Sequence, residues 1–451
     1  MKVVVIGGGL AGLSAACRLA DVGHYVVVLE RRPWPGGKTY SFVDREPGTE
    51  IDNGQHILMR CTTAYTDFLA RLGTLDRVRW QRRLCVPVYD ARGKRGAITA
   101  ARLPAPWHLL PALLRYRHLR PVERLRALRA AAAMARGEAS APRETFAAWL
   151  RRHGQSERLI RDFWDLVVVP TLNCRSEVAD AEQALFVFRT GFLASPQAAA
   201  IGVPTVPLLD LHVRPAIRYV EKRGGEVRPS LPAASLEVED DAVVAVRCAG
   251  GARIEGDAFV LATPPAEAWA LIPPAWQARP EFEALRRFRS APIVNVHLWF
   301  DGPAAPFEFA AFTGCDLQWV FDHSRIRRAP ASEPAHLVVS LSAAQDHLDA
   351  PPGPLVDRLV AQLRRALPQA ASRRLLRARV VKEPHATFVP EPGLARPGPV
   401  TSIRNLVLAG AHTDTGWPAT MESAVRSGLA AAAAIEERRT ALERAHAGAV
   451  A

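Results

Sequence analysis

The sequence predicts an α/β protein: a parallel sheet covered by helices, joined to a second domain of mixed α+β character. Three observations lead there. An unbroken β-branched run at residues 2–6 empties into Gly7-Gly8-Gly9-Leu10-Ala11-Gly12, which reads G-x-G-x-x-G. An alanine-rich helix at 13–22 follows, ends at Gly23, and gives way to a second apolar strand at 25–29 that closes on Glu30. Far along the chain, residues 406–410 form another apolar strand that ends in glycine ahead of a helix. Strand, glycine turn, helix and strand in this order are the start of a Rossmann-like domain.

Each part of the first unit has a physical job. Gly7 permits the tight turn, Gly9 lets backbone approach a pyrophosphate, and Gly12 lets helix and strand pack closely. The free N–H groups and positive dipole end around Leu10 and Ala11 then hold phosphates. Glu30 at the tip of the second strand can accept from a ribose 2′-hydroxyl, which favours FAD or NAD over NADP. The alternative is a bare structural turn. It leaves the acid at the strand tip unexplained.

With 451 residues, half of them apolar and 23% charged, the chain has material for two folded domains. No stretch approaches twenty apolar residues, so no transmembrane helix is expected. The first core strand begins at Lys2, which leaves no room for a signal peptide and points to the cytoplasm. Cys17, Cys61, Cys85, Cys174, Cys248 and Cys315 are scattered, with no C-x-x-C, which argues against a metal site or a disulfide framework.

The net charge of +13 has a location. Residues 79–136 hold fourteen Lys/Arg against Asp90 and Glu123, a local +12. No nucleic-acid-binding pattern accompanies it, so nucleic acid is not an expected partner. The arginines interleave with Trp107, Leu109, Leu113, Leu114, Tyr116 and Leu125, as a helix lying on an anionic membrane needs. A solvated helical face is the bland alternative.

In chain order, residues 31–38 form a loop with Arg31, a second glycine pair, Gly36-Gly37, and the cation Lys38. Such a loop closes over the pyrophosphate and the inner flavin edge in flavoproteins with two dinucleotide-type domains. Residues 50–58 make a polar turn through Gly54, Gln55, His56 and Ile57, a plausible contact for an isoalloxazine ring. His56 taken alone reads first as a structural histidine. Residues 60–215 read as mostly helical, at 64–72, 122–135, 145–153, 158–166 and 214–223. A strand at 226–228, a hairpin at 235–248 turning at Asp240-Asp241, and a strand at 252–261 follow. Strands at 294–300, 337–341 and 376–382 with a helix at 355–367 make a substrate domain, and a helix at 419–435 completes the first domain. The dinucleotide domain is thus discontinuous, from 1–75, 215–273 and 400–440, and the substrate domain takes 76–214 and 274–399.

The glycine motif with Glu30, the Gly36-Gly37-Lys38 loop and the C-terminal stretch resemble the amine oxidase and carotenoid desaturase class of FAD oxidoreductases. Within it, Asp52-Asn53-Gly54-Gln55-His56-Ile57-Leu58-Met59, the stretch from Phe163-Trp164 to Leu172-Asn173, and Thr413-Asp414-Thr415-Gly416-Trp417-Pro418-Ala419-Thr420-Met421-Glu422 resemble the hydroxysqualene dehydroxylases. The resemblance implies FAD, with further contacts at Val227, Thr263, Gly410, Ala411, Thr420 and Met421, and substrate contacts at Trp164, Asn173 and Trp417; no Cys or His sits in a recognisable flavin-attachment setting, so non-covalent binding is expected. Two departures stand out. The class usually has Asp at Ala411, for the ribityl chain, and Gly at Ser423; Asp414 is a partial substitute.

The resemblance further implies reductive removal of an allylic hydroxyl from a C30 isoprenoid on the way to squalene and hopanoids. The partners it implies are an isoprenoid substrate, the inner face of the cytoplasmic membrane and other enzymes of squalene synthesis. The chemistry needs an acid for the departing oxygen, and His56, Asp165 and Asp414 are the candidates in that order. Helices between 105 and 215 would line the substrate tunnel. A carotenoid-type desaturase is the main rival; a flavin amine oxidase would instead cage the flavin with aromatics and would not need the basic segment.

Overall fold

The computed structural model describes residues 1–44, 50–330 and 332–450. Val3, Val4 and Val5 are fully buried, as β-branched residues covered on both faces should be. Their strand, Lys2–Ile6, lies at the centre of a five-stranded parallel sheet. Val3 faces Val26 of Tyr25–Leu29 on one side and Ala258 of Ala258–Leu261 on the other. Glu226–Arg228 and Leu406–Leu408 form the two edges. Strands adjacent in this sheet therefore come from three distant parts of the chain.

The hairpin at 235–248 is present as Ala233–Glu239 and Ala242–Cys248, with Asp240 and Asp241 both at positive φ in its turn. The single strand expected at 252–261 is two strands in different sheets. Arg253–Glu255 completes the antiparallel hairpin sheet, and Ala258–Leu261 joins the parallel one. The break falls at Gly256, where a Cβ would lie 2.8 Å from a Val4 methyl.

A second, seven-stranded sheet has Leu375–Phe388 at one edge, paired antiparallel along its length with Ser290–Phe300. Sequence reading missed much of it. Cys85–Asp90 and Arg95–Thr99, in a region read as helical, form a hairpin that joins this sheet through Val88 opposite Ala311. Four short segments, Leu58–Met59, Val78–Trp80, Ile201–Pro204 and Phe309–Thr313, are strands too. Runs of two to five residues carry too little periodicity to separate strand from helix. Conversely, the helix at Asp165–Leu172 continues through Pro170, which carries no N–H and sits inside it.

The C-terminal helix, Met421–Val450, crosses Leu10–Asp21. The crossing is tight because Gly428 has no side chain. A Cβ there would lie 2.1 Å from Ser14 Oγ and 2.2 Å from the Ala11 carbonyl. At the start of the same helix, the buried Glu422 carboxylate accepts from the N–H groups of Ala64 and Tyr65 (3.0 and 2.8 Å), capping helix Thr63–Leu72. Gly428→Ala forces the helices apart and is expected to destabilise the fold by about 1–3 kcal/mol, the usual range for overpacking. Chemical unfolding monitored by circular dichroism measures this, and an unchanged midpoint contradicts the close crossing.

Candidate active site

The glycine turn and the seven-stranded sheet open onto one continuous cavity of about 680 Å³. At one end it is walled by Gly7, Gly9, Leu10, Ala11, Glu30 and the 31–39 loop. The three motif glycines play separable roles. A Cβ on Gly7 would lie 2.6 Å from the Ala262 carbonyl, and one on Gly12 would lie 1.9 Å from the Gly7 carbonyl. Both positions are dictated by the protein's own packing, and Gly12 lies behind the wall. Gly9 differs: the nearest atom to its would-be Cβ is 3.7 Å away, so the protein itself leaves that space open. The helix starting at Leu10 has no side-chain cap for its first N–H groups, and Leu10 and Ala11 line the cavity. The buried Glu30 carboxylate accepts from the N–H groups of Gly8 and Arg32, both at 2.9 Å, which fixes it at the strand tip with lone pairs to spare. An open glycine, a bare helix N-terminus and an anchored acid fit the pyrophosphate and ribose of FAD.

The loop over this end is pinned from beneath. Thr39 Oγ1 donates to the Gly36 carbonyl (3.1 Å), so His212 donates Nε2–H to Thr39 (3.0 Å) and its Nδ1 accepts from the Tyr65 hydroxyl (3.0 Å). Burial holds His212 neutral, with its pKa pushed down to about 3. Arg32 donates to the Gly37 carbonyl, and Arg31 pairs with Glu267 at 3.1 Å. Lys38 faces the cavity, and burial pulls its pKa down against the opposing pull of Glu383 and Glu267.

Gly54, Gln55, His56, Ile57, Thr263, Gly410, Ala411, Thr420 and Met421 all line the cavity. Val227 does not; it sits on the edge strand beside Glu30. At Ala411 the wall carries no carboxylate, and Asp414 does not replace one. Asp414 is exposed, accepts from the Gly416 N–H (3.2 Å) and lies off the cavity wall. Ser423 is taken up by its own loop, with Thr415 Oγ1 2.7 Å away and Arg396 at 3.3 Å. Arg396 also donates to the carbonyls of Ala411, Thr413 and Trp417, so one guanidinium organises the whole C-terminal turn. His412 was missed in the sequence. It is buried on the wall next to Ala411, with its pKa pushed down to about 3 by burial beside Lys38 and Arg396.

Beyond the turn at 53–57 the cavity becomes apolar. Val86, Val88 and Ile98 of the missed hairpin, Ala311, Trp319 and Phe321 of the sheet, and Leu166, Val167 and Pro170 of one helix form its wall. The sheet rather than the helices alone supplies this lining.

The three candidate acids separate. His56 lines the cavity and donates Nδ1–H to the Gly54 carbonyl (2.9 Å), which leaves Nε2 free for a ligand. Burial lowers its pKa while the Gly54 contact and the Asp52 carboxylate oppose the shift. Asp165 points into the core instead. It accepts from the Ser176 hydroxyl (2.5 Å) and N–H (3.2 Å), and burial raises its pKa to about 6. Of the substrate candidates, only Asn173 reaches the cavity wall. Its amide is fully engaged, donating to the Ala291 carbonyl and Thr387 and accepting from the Ala343 N–H. Trp164 donates to Gln155 in the aromatic core, and Trp417 packs edge-on against Phe186.

Because only a ligand needs the space at Gly9, Gly9→Val should give a folded protein that purifies without flavin. Gly12→Val, which collides with backbone, should fail to fold. Absorbance near the flavin bands and circular dichroism separate the two; full flavin content in Gly9→Val places the phosphates elsewhere.

Residues 10–436 match the profile of a family described as flavin-containing amine oxidoreductases. The chain is 28% identical over 474 residues to a 15-cis-phytoene desaturase of Synechococcus elongatus, covering 99% of this chain and 98% of that protein. It is 30% identical over 447 residues to a hydroxysqualene dehydroxylase of Sinorhizobium fredii, covering 96% and 97% respectively. Among solved structures, an oxidoreductase from Methanosarcina mazei superposes with a TM-score of 0.76 at 16% identity, covering 95% of this chain and 99% of that one. The profile spans nearly the whole chain, and the cavity suits the dinucleotide: this protein belongs to the flavin-containing amine oxidoreductase family and is an FAD oxidoreductase.

Proposed function

We propose that the protein removes the allylic hydroxyl of hydroxysqualene reductively, giving squalene and water. The observation that carries the proposal is the single cavity that joins the dinucleotide end to a long apolar wall. The relative named as a hydroxysqualene dehydroxylase, matched over 97% of its length, supports it. FAD, when bound and reduced, supplies the hydride. The chain's own residues do the rest. Val86, Val88, Ile98, Trp319 and Phe321 hold the hydrocarbon and exclude water, and His56 holds the proton for the departing oxygen at Nε2 once both ring nitrogens are protonated. Oxidative desaturation of a polyene is the second reading, favoured by the match to a phytoene desaturase. Both use the same cavity with opposite electron flow.

Anaerobic incubation with chemically reduced flavin and hydroxysqualene should yield squalene from the wild type, with turnover about 10²-fold lower in His56→Gln. Absence of squalene, together with desaturation of a C40 polyene under oxidising conditions, favours the second reading.

Delivery of such a substrate calls for a membrane, and we propose that residues 103–125 dock on one. They carry five large exposed apolar side chains, including Trp107 (58% exposed) and Leu125 (64%), among Arg102, Arg115, Arg117, Arg120 and Arg126. Helix Leu110–Leu114 packs on strand Arg95–Thr99, whose Ile98 lines the apolar end of the cavity. No helix among the described residues is long and apolar enough to cross a membrane. The protein should pellet with anionic vesicles at low salt and be largely released at about 1 M. Changing Arg115, Arg117, Arg120 and Arg124 together to Gln should weaken pelleting without altering the flavin spectrum. Equal binding to neutral vesicles would refute it.

A further inference from the structure

Where the polar and apolar ends of the cavity meet, two asparagines present acceptors with nothing to accept from. Asn53 follows strand Glu50–Asp52, and Asn295 sits mid-strand in Ser290–Phe300. Each is only 4% exposed, and both line the cavity. The orientation of both amides is settled by their partners. Asn295 Nδ2 donates to the Asn53 backbone carbonyl (3.1 Å), and Asn53 Nδ2 donates to the Lys38 carbonyl (2.9 Å). A carbonyl cannot donate, so the oxygens are left on the other side of each amide. Asn295 Oδ1 and Asn53 Oδ1 have no hydrogen-bond partner among the described residues. Asn295 also packs closely on the turn. A Cβ on Gly54 would touch its Nδ2, Cγ and Oδ1 at 2.3, 2.7 and 2.9 Å, so the amide is pressed flat against the turn. His56, two residues further along that turn, lines the same cavity with its Nδ1–H given to the Gly54 carbonyl.

Buried acceptors without donors are costly, and a hydrocarbon cannot relieve them. A hydroxyl can. We infer that Asn53 and Asn295 form a seat for the hydroxyl of an otherwise apolar alcohol, with Asn295 as its specificity-determining residue. The alcohol proton goes to an amide oxygen, and the lone pairs on the hydroxyl oxygen remain open to the proton held by His56. The inference rests on the dehydroxylation reading and sharpens it: an alcohol is recognised by its oxygen, ahead of any reaction.

Binding to the oxidised holoenzyme tests the seat without turnover. Hydroxysqualene and squalene, identical but for the hydroxyl and dispersed in the same detergent, are titrated while the flavin absorbance is followed. The wild type should bind the alcohol about tenfold or more tightly than the hydrocarbon. Asn295→Leu, of similar size, should lose that preference while keeping its affinity for squalene and its FAD content. Should the leucine variant lose its flavin, Asn295→Ala and the wild-type comparison carry the same test. Equal affinities in the wild type, or a preference that survives in both variants, overturn the seat. So does a variant whose FAD dissociation constant rises while its alcohol preference stays, since the amide would then serve the cofactor. Squalene formation by the reduced wild type is scored separately. Squalene formed without an alcohol preference sinks the seat and spares the reading, whereas a preference without squalene supports the seat and sinks the reading.

Discussion

Close backbone approach is the constraint on which the structure depends. Gly12 lets the first helix lie against the turn that launches it, and Gly428 lets the last helix lie against the first. Together they bring the N-terminus of helix Leu10–Asp21 to the mouth of the cavity with its N–H groups uncapped. A methyl group at either glycine would shift that helix by more than a hydrogen bond tolerates. The phosphate site is therefore a product of packing before it is a matter of ligand contacts.

The dinucleotide end was readable from sequence because its constraints are local. A β-branched run, three glycines and an acid within thirty residues each have one dominant physical explanation. The catalytic end was not, because it is assembled across chain separations that no periodicity reports. Asn53 and Asn295 meet over 242 positions. Asp414 illustrates the converse error. It lies three positions after Ala411, but the loop pinned by Arg396 leaves it exposed. The hairpin at 85–99 escaped because arginines at its turn and a long basic context masked the alternation of Val86 and Val88. His412 had no signal at all beyond its place after the strand.

The two halves of the cavity are polar and apolar for different reasons. At the dinucleotide end, donors and a few charged groups are held by backbone partners, so they are oriented before any ligand arrives. At the far end, Val86 with Val88 and Trp319 with Phe321 line the cavity by simple alternation, and the wall is mainly apolar. The turn at 53–57 is the seam between the two, and it carries the one histidine among the candidate acids that faces the cavity. Burial holds His56 toward its neutral form, so proton delivery from that seam weakens as pH rises.

The strand order has a consequence for how the protein is made. Lys2–Ile6 leaves the ribosome soon before one of its neighbours, Tyr25–Leu29, yet the other, Ala258–Leu261, is synthesised about 250 residues later. At roughly 5–20 residues per second that is a wait of about 12–50 s, with one edge of the central strand unpaired. The last edge strand and the helix that covers Leu10–Asp21 come later still. The nascent chain thus carries a complete glycine motif long before it has a cofactor site, and flavin capture has to wait for the later segments that complete the sheet.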